Sequence, residues 1–186
     1  MPLILSGDTG VPASGMPTGS VLSTTTSTLT TGQTLSVNNA NAGSTTWTSS
    51  SLTVTITPLT STSKYIIFAD IKYSCGNNSV YRIYDVTAGV NVLATASGSL
   101  VAAEGGLPSS VGQPNNTGGY NGYGTGTRTS VVYYSPASPS ATRQFRIDFI
   151  CVNSTDTVYL GRNQNSGTSA FDSYSPCTLT VLEIKA

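Results

Sequence analysis

Short runs of alternating apolar and polar residues dominate the chain and predict β-strands. In residues 52–57 every second position is apolar, and Pro58 ends the run. Similar runs follow at residues 80–86, 90–93, 129–134, 143–152, 158–160 and 177–184. The first two of these are separated by the length of a hairpin turn. No apolar repeat of helical period follows a capping box, so we expect no helix of useful length.

The run at residues 64–74 differs because it is apolar on both sides. One side carries Tyr65, Ile67, Ala69, Ile71 and Tyr73, and the other carries Ile66 and Phe68. A strand that is apolar on both faces is normally covered on both. We therefore predict that Ile66 and Phe68 lie in an interface between subunits.

Irregular features interrupt the strand pattern in three places. The last run, 177–184, changes its apolar side near Val181 and Leu182, which predicts a β-bulge. Residues 98–127 contain nine glycines and two prolines, and residues 163–176 form a second polar stretch. Loops of this length are uncommon in compact domains and usually have a function. We predict no regular strand in either stretch.

Residues 1–34 are too polar to bury a face of their own. Glycine and proline recur through the first twenty positions, and a run of serine and threonine follows at residues 23–28. Such a segment should not fold alone. We predict an extended N-terminal arm that docks on another protein through the apolar residues near its start, Leu3, Ile4, Leu5, Val11 and Met16.

The remaining residues, 35–186, should form one domain. Roughly eight to ten short strands separated by polar turns are typical of an all-β fold, and we predict an antiparallel β-sandwich of the jelly-roll type. The outward apolar residues of the run at 64–74 make this domain an expected oligomer.

Composition and charge exclude several functions. The chain has 186 residues, with eight Lys plus Arg, eight Asp plus Glu and no His. A net charge of zero leaves no basic excess to neutralise phosphates, so nucleic acid is not an expected partner. No apolar run approaches the roughly 18 residues that span a bilayer, so we expect no membrane insertion. Without histidine, Ser-His and Cys-His catalytic pairs are absent, and so are imidazole metal sites.

Other candidate chemistry is weak. Ser61-Thr62-Ser63-Lys64 has the Ser-x-x-Lys spacing of acyl-transfer enzymes, but it leads into a strand, where its ends fall on opposite faces. Residues 122–126 resemble part of a phosphate-binding loop but lack its lysine and helix. The eight acids occur singly, which favours surface positions over a glycosidase pair or a metal site. Three widely spaced cysteines, Cys75, Cys151 and Cys177, are typical of free thiols in a reducing cytoplasm. We predict no enzymatic activity, no cofactor and no metal.

The best binding candidate is the glycine-rich loop around Tyr120, Asn121 and Tyr123. Tyrosine together with Gly, Ser and Asn is the mixture found in binding loops. A host glycan presents a matching combination of apolar faces and hydroxyl groups. The alternative is that these tyrosines only hold the loop against a neighbouring subunit.

Several segments resemble a family of bacteriophage virion proteins. Residues 2–10, Pro-Leu-Ile-Leu-Ser-Gly-Asp-Thr-Gly, are similar to the start of short tail-fibre or spike proteins and head-fibre proteins. Residues 56–67, 80–84, 158–162 and 177–184 resemble their C-terminal domains, which are similar to the trimeric jelly rolls of tumour-necrosis-factor-like and complement-like proteins. The resemblance implies a homotrimer in the virion, made in the host cytoplasm, with an N-terminal arm that binds other virion proteins.

Three functions compete at this point. The first is a non-enzymatic fibre or spike knob that contacts the host surface. The second is a capsid decoration protein, a cement or head-fibre protein without a receptor role. The third is a glycan depolymerase, which would need a carboxylate pair that the sequence does not supply. The sequence favours the first and leaves open whether the protein sits on the tail or the capsid.

Overall fold

The computed structural model describes residues 12–38, 46–75, 79–92, 126–151, 156–162 and 175–186. These residues form ten strands and one 3-10 turn, Ala13–Gly15. The strands are β1 (Val21–Leu29), β2 (Gln33–Val37), β3 (Thr48–Ile56), β4 (Lys64–Cys75), β5 (Ser79–Asp85), β6 (Val90–Asn91), β7 (Gly126–Tyr134), β8 (Arg143–Cys151), β9 (Asp156–Leu160) and β10 (Cys177–Ile184). No helix in the described part of the chain is long and apolar enough to cross a membrane.

The strands form two antiparallel sheets. The larger sheet has the order β1-β10-β4-β9-β2. Strands β10 and β9 pair with successive parts of one edge of β4, and β7 pairs with its other edge. The smaller sheet has the order β3-β8-β5-β6. Apolar residues from the inner faces of both sheets pack into one core, so the predicted all-β sandwich is confirmed.

Strand β4 supplies the centre of that core. Its five predicted inward residues are at most 1% exposed. The rings of Tyr65 and Phe145 meet edge to face with centroids 5.7 Å apart, and those of Tyr73 and Phe149 are 5.4 Å apart. These aromatic pairs join the two sheets and stabilise the sandwich beyond simple burial of area.

Much of the predicted N-terminal arm belongs to the larger sheet. Residues 21–29 form β1, which pairs along β10, and the predicted domain boundary at residue 34 falls inside β2. Threonine is β-branched and suits a half-exposed strand, so an edge strand needs little apolar alternation. The prediction that residues 21–34 lie outside the domain is therefore wrong.

Strand β10 does not change sides. Its pairing with β4 is regular, with Val181 and Glu183 inward and Leu182 outward, and the bulge lies between Val21 and Ser23 on β1. Glu183 is fully buried. Its carboxylate accepts hydrogen bonds from Ser23 Oγ at 2.7 Å, from the Leu59 amide at 2.6 Å and from Ser63 Oγ. These donors replace water, so a polar residue occupies an inward position that the sequence pattern assigned outside.

The loop boundaries differ slightly from the sequence prediction. Strand β7 begins at Gly126, so the last two residues of the stretch 98–127, for which no strand was predicted, belong to a strand. Residues 98–125 lie outside the described residues. The predicted hairpin is confirmed, because β5 pairs with β6 across a turn in which Gly89 has φ +69°. That left-handed conformation favours glycine.

Candidate functional site

The outer face of the larger sheet carries a continuous apolar surface. In the strand register, Ile66 lies between Leu182 on β10 and Tyr133 on β7, and Phe68 lies between Thr180 and Val131. Directly opposed residues on neighbouring strands share a face and lie within contact distance. We call the five residues Ile66, Phe68, Val131, Tyr133 and Leu182 the apolar face.

Several members of the apolar face are well exposed in the single chain. The exposed fraction is 60% for Val131, 59% for Tyr133 and 38% for Phe68. Lys64 lies at one end, with Nζ 5.9 Å from the centre of the Tyr133 ring. Large apolar side chains that adjoin one another on a surface are typical of an interaction site.

The outer face of the smaller sheet is charged instead. Arg82 on β5 lies opposite Asp148 on β8, and Tyr84 lies opposite Arg146. Arg82 Nη2 donates to Asp148 Oδ2 at 3.0 Å, and Arg146 Nε donates to Asp148 Oδ1 at 2.6 Å. The guanidinium of Arg82 also lies over Tyr84 at 4.0 Å and over Trp47 at 4.5 Å. We call the residues Trp47, Arg82, Tyr84, Arg146 and Asp148 the arginine cluster.

Acidic residues are more buried than the sequence predicted. Asp85, Asp148 and Glu183 are all fully buried, so their predicted surface positions are wrong. Each carboxylate has donors that compensate for lost water: arginines for Asp148 and Asp85, hydroxyl and amide groups for Glu183. Burial of a charge without such partners would be very unfavourable.

A cavity at one end of the sandwich adjoins a buried ion pair. Arg143, which is 2% exposed, donates to Asp85, and Tyr134 Oη donates to the same carboxylate at 2.9 Å. Burial and this hydrogen bond raise the pKa of Tyr134 to about 12. The cavity of about 540 Å³ is lined by Thr87, Ala88, Val90, Tyr134, Ala137, Ser138, Ala141 and Arg143. Arg143 is the charged residue among these described lining residues, and its pairing with Asp85 already balances its charge.

Of the predicted anchor residues, the structure describes Met16. Its carbonyl accepts a hydrogen bond from Lys185 Nζ, and the nearby Gly19 amide donates to the Lys185 carbonyl at 2.8 Å. Residues 16–20 therefore run beside the end of β10. Leu3, Ile4, Leu5 and Val11 lie outside the described residues, as do Tyr120, Asn121 and Tyr123.

Sequence reasoning found part of the apolar face and missed the arginine cluster. Ile66 and Phe68 lie on the outer face, where the alternation placed them. Val131, Tyr133 and Leu182 were missed because their proximity depends on strand order. Arg146 and Asp148 share one face of β8 through their spacing of two residues, but only the register of β5 with β8 brings Arg82 to Asp148.

The catalytic patterns gain no support from the described residues. Ser61 lies in the turn before β4 and Lys64 begins that strand, so the Ser-x-x-Lys spacing lies on no helix. Among the residues that can be placed, no three His, Cys, Asp or Glu side chains group as metal ligands would. Burial raises the pKa of the Cys177 thiol, which makes this cysteine less reactive.

Comparison with known proteins identifies no family for this chain. The sequence matches no protein-family profile, and no curated protein is significantly similar to it.

Proposed function

We propose that the protein is a non-enzymatic structural protein of a bacteriophage virion, a homotrimeric knob whose subunits pack through the apolar face. The apolar face is the observation that carries this proposal. Fully burying an exposed large apolar side chain contributes about 1.5–3 kcal/mol before the cost of association, so covering the exposed parts of these side chains favours an interface. The trimer and the virion come from the resemblance of the sequence to phage fibre domains.

The jelly-roll topology is part of the same proposal, and the connectivity supports it. Consecutive strands cross between the sheets, since β3 and β8 belong to the smaller sheet while β4, β7 and β9 belong to the larger. The first strand also lies beside the last. Both features are expected of a sandwich built from Greek keys.

The N-terminal segment is proposed to anchor the knob to another virion protein. Because β1 belongs to the sheet, a truncation that tests this role must end before residue 21. Deleting residues 1–11 should leave the unfolding temperature unchanged and should remove the protein from phage particles. Incorporation of the truncated protein at normal occupancy would refute the anchoring role.

The host-contact role is proposed for the loop that contains Tyr120 and Tyr123. Purified protein should adsorb to host cells, and the double variant Tyr120→Ala, Tyr123→Ala should adsorb less. Equal adsorption by both, or adsorption by neither, would favour the decoration function. Imaging of labelled protein on intact virions would then show whether it sits on the tail or the capsid.

A further inference from the structure

We infer that the arginine cluster on the smaller sheet is a binding site for a carboxylate-bearing saccharide. This site is separate from the apolar face, which lies on the other sheet. Its charged residues lie on the paired strands β5 and β8. Binding of a ligand at this site would not require the protein to form a trimer.

The first observation is an excess of positive charge. Two guanidinium groups converge on the single carboxylate of Asp148. Arg82 uses Nε and Nη2 on Oδ2, and Arg146 uses Nε on Oδ1 and Nη2 on Oδ2. A guanidinium has five N–H donors, so each arginine keeps unspent donors that no residue in the described ranges accepts. Among the described residues, these two arginines pair with one carboxylate, which leaves one positive charge in excess.

The second observation is preorganisation. The guanidinium of Arg82 lies over the rings of both Trp47 and Tyr84, and the guanidinium of Arg146 lies 5.8 Å from the centre of the Tyr84 ring. The side chains of Arg82 and Arg146 keep 16% and 25% of their surface exposed. Donors that are already fixed lose little conformational entropy when they bind, which raises affinity.

The charge and geometry indicate an anion of limited size. The planar fork of arginine matches a carboxylate or another oxyanion through paired hydrogen bonds. A nucleic acid would need many more positive charges than a single excess charge on a chain with no net charge. The ligand is therefore expected to carry isolated anionic groups.

The neighbouring strand indicates that the rest of the ligand bears hydroxyl groups. On β3, Ser49 lies opposite Asp148, Thr53 opposite Arg146 and Thr55 opposite Gln144. Ser49 and Thr55 are exposed and Thr53 is half-buried. This row offers hydroxyl and amide groups beside the arginines, which suits the hydroxyl groups of a sugar ring better than the apolar side chains of a peptide.

The test is titration of the full-length protein with tetragalacturonate, followed by calorimetry. Galactotetraose, a neutral oligosaccharide of the same length, and inorganic phosphate are the comparison ligands. We expect tetragalacturonate to bind, galactotetraose not to bind, and phosphate to bind more weakly than the oligosaccharide. Added salt should weaken the binding because the contact is ionic.

Arg146→Gln should weaken tetragalacturonate binding about tenfold or more, since hydrogen bonds to a charged group are lost. Lys72→Gln removes one positive charge from the other sheet and is the matched control, with expected binding unchanged. If Arg146→Gln fails to fold, Thr53→Val keeps every charge and should weaken the oligosaccharide but not phosphate.

Three results would overturn the inference. They are no binding of tetragalacturonate at millimolar concentration, equal binding of galactotetraose, and an equal loss of affinity in Lys72→Gln and Arg146→Gln. Phosphate that binds as tightly as the oligosaccharide would reduce the site to a simple anion site and would also contradict the inference.

Discussion

The two outer faces of the sandwich follow the same strand alternation but carry opposite chemistry. On the larger sheet, three of the four positions beside Phe68 and Ile66 are filled by Val131, Tyr133 and Leu182. On the smaller sheet, the corresponding central positions hold Arg82, Arg146 and Asp148. Since the inner faces of both sheets pack into one core, we attribute the difference to what lies outside each sheet rather than to the fold.

A contiguous apolar patch on an outer face is typical of a surface that another molecule covers, whereas a charged face is compatible with solvent and with polar ligands. The larger sheet is therefore proposed as the contact between subunits and the smaller sheet as the surface turned to the surroundings. The inward-facing residues determine the sandwich fold, and the outward-facing residues determine what each outer face contacts.

The largest expected effect is the loss of assembly in Phe68→Asp. A carboxylate at this position would have to be desolvated in a subunit interface, which is strongly unfavourable. Val90→Asp introduces the same charge at an exposed apolar residue of the smaller sheet and is the matched control. Light scattering should show a smaller particle for Phe68→Asp only. An unchanged mass for Phe68→Asp would place the interface elsewhere.

The next effect concerns the ion pairs on the two faces. Asp148→Asn removes the carboxylate of the arginine cluster and should lower the free energy of unfolding by about 2–3 kcal/mol. This loss is smaller than that expected for a fully buried ion pair, because both arginines keep contact with water. On the larger sheet, Asp70→Asn breaks the exposed pair with Lys72, which is 3.3 Å long, and should cost at most about 1 kcal/mol. Urea unfolding of both variants gives the comparison, and equal losses would contradict it.

Adjacent residues of β10 separate stability from assembly. Glu183→Gln weakens the bonds that join β10 to β1 and to the turn before β4, and it should cost about 1–2 kcal/mol of unfolding free energy. Leu182→Ser changes the apolar face and should weaken subunit association while leaving unfolding of the separate chain nearly unchanged. Concentration-dependent unfolding distinguishes the two effects. If Leu182→Ser instead lowered the unfolding free energy and Glu183→Gln weakened association, β10 would have its other face turned inward.

A smaller effect is expected at high pH. The pKa of Tyr134 is raised from its ordinary value of 10.0 to about 12, first by burial and then by its bond to Asp85. The folded state therefore holds this proton more tightly than the unfolded state. Its contribution to stability is fully present below pH 10 and is lost as pH rises towards 12. Tyr134→Phe should flatten this pH dependence in unfolding experiments, and an unchanged slope would assign it to another group.

The sequence predicted the strands whose inner positions are apolar, because burial imposes a period of two on them. It failed at β1 and Glu183, where hydroxyl groups and hydrogen bonds take the place of apolar burial. Three of the five residues of the apolar face could not be predicted, since Val131, Tyr133 and Leu182 adjoin Phe68 and Ile66 only through the strand order. A long-range register of this kind leaves no local pattern in the sequence.

The most direct test of the apolar face as a subunit interface is the mass of the wild-type protein in solution. Sedimentation equilibrium over a dilution series should give one species with three times the chain mass of 19.1 kDa. A species of 19.1 kDa at every concentration would contradict the proposal, because the apolar face would then be exposed to water in the native protein.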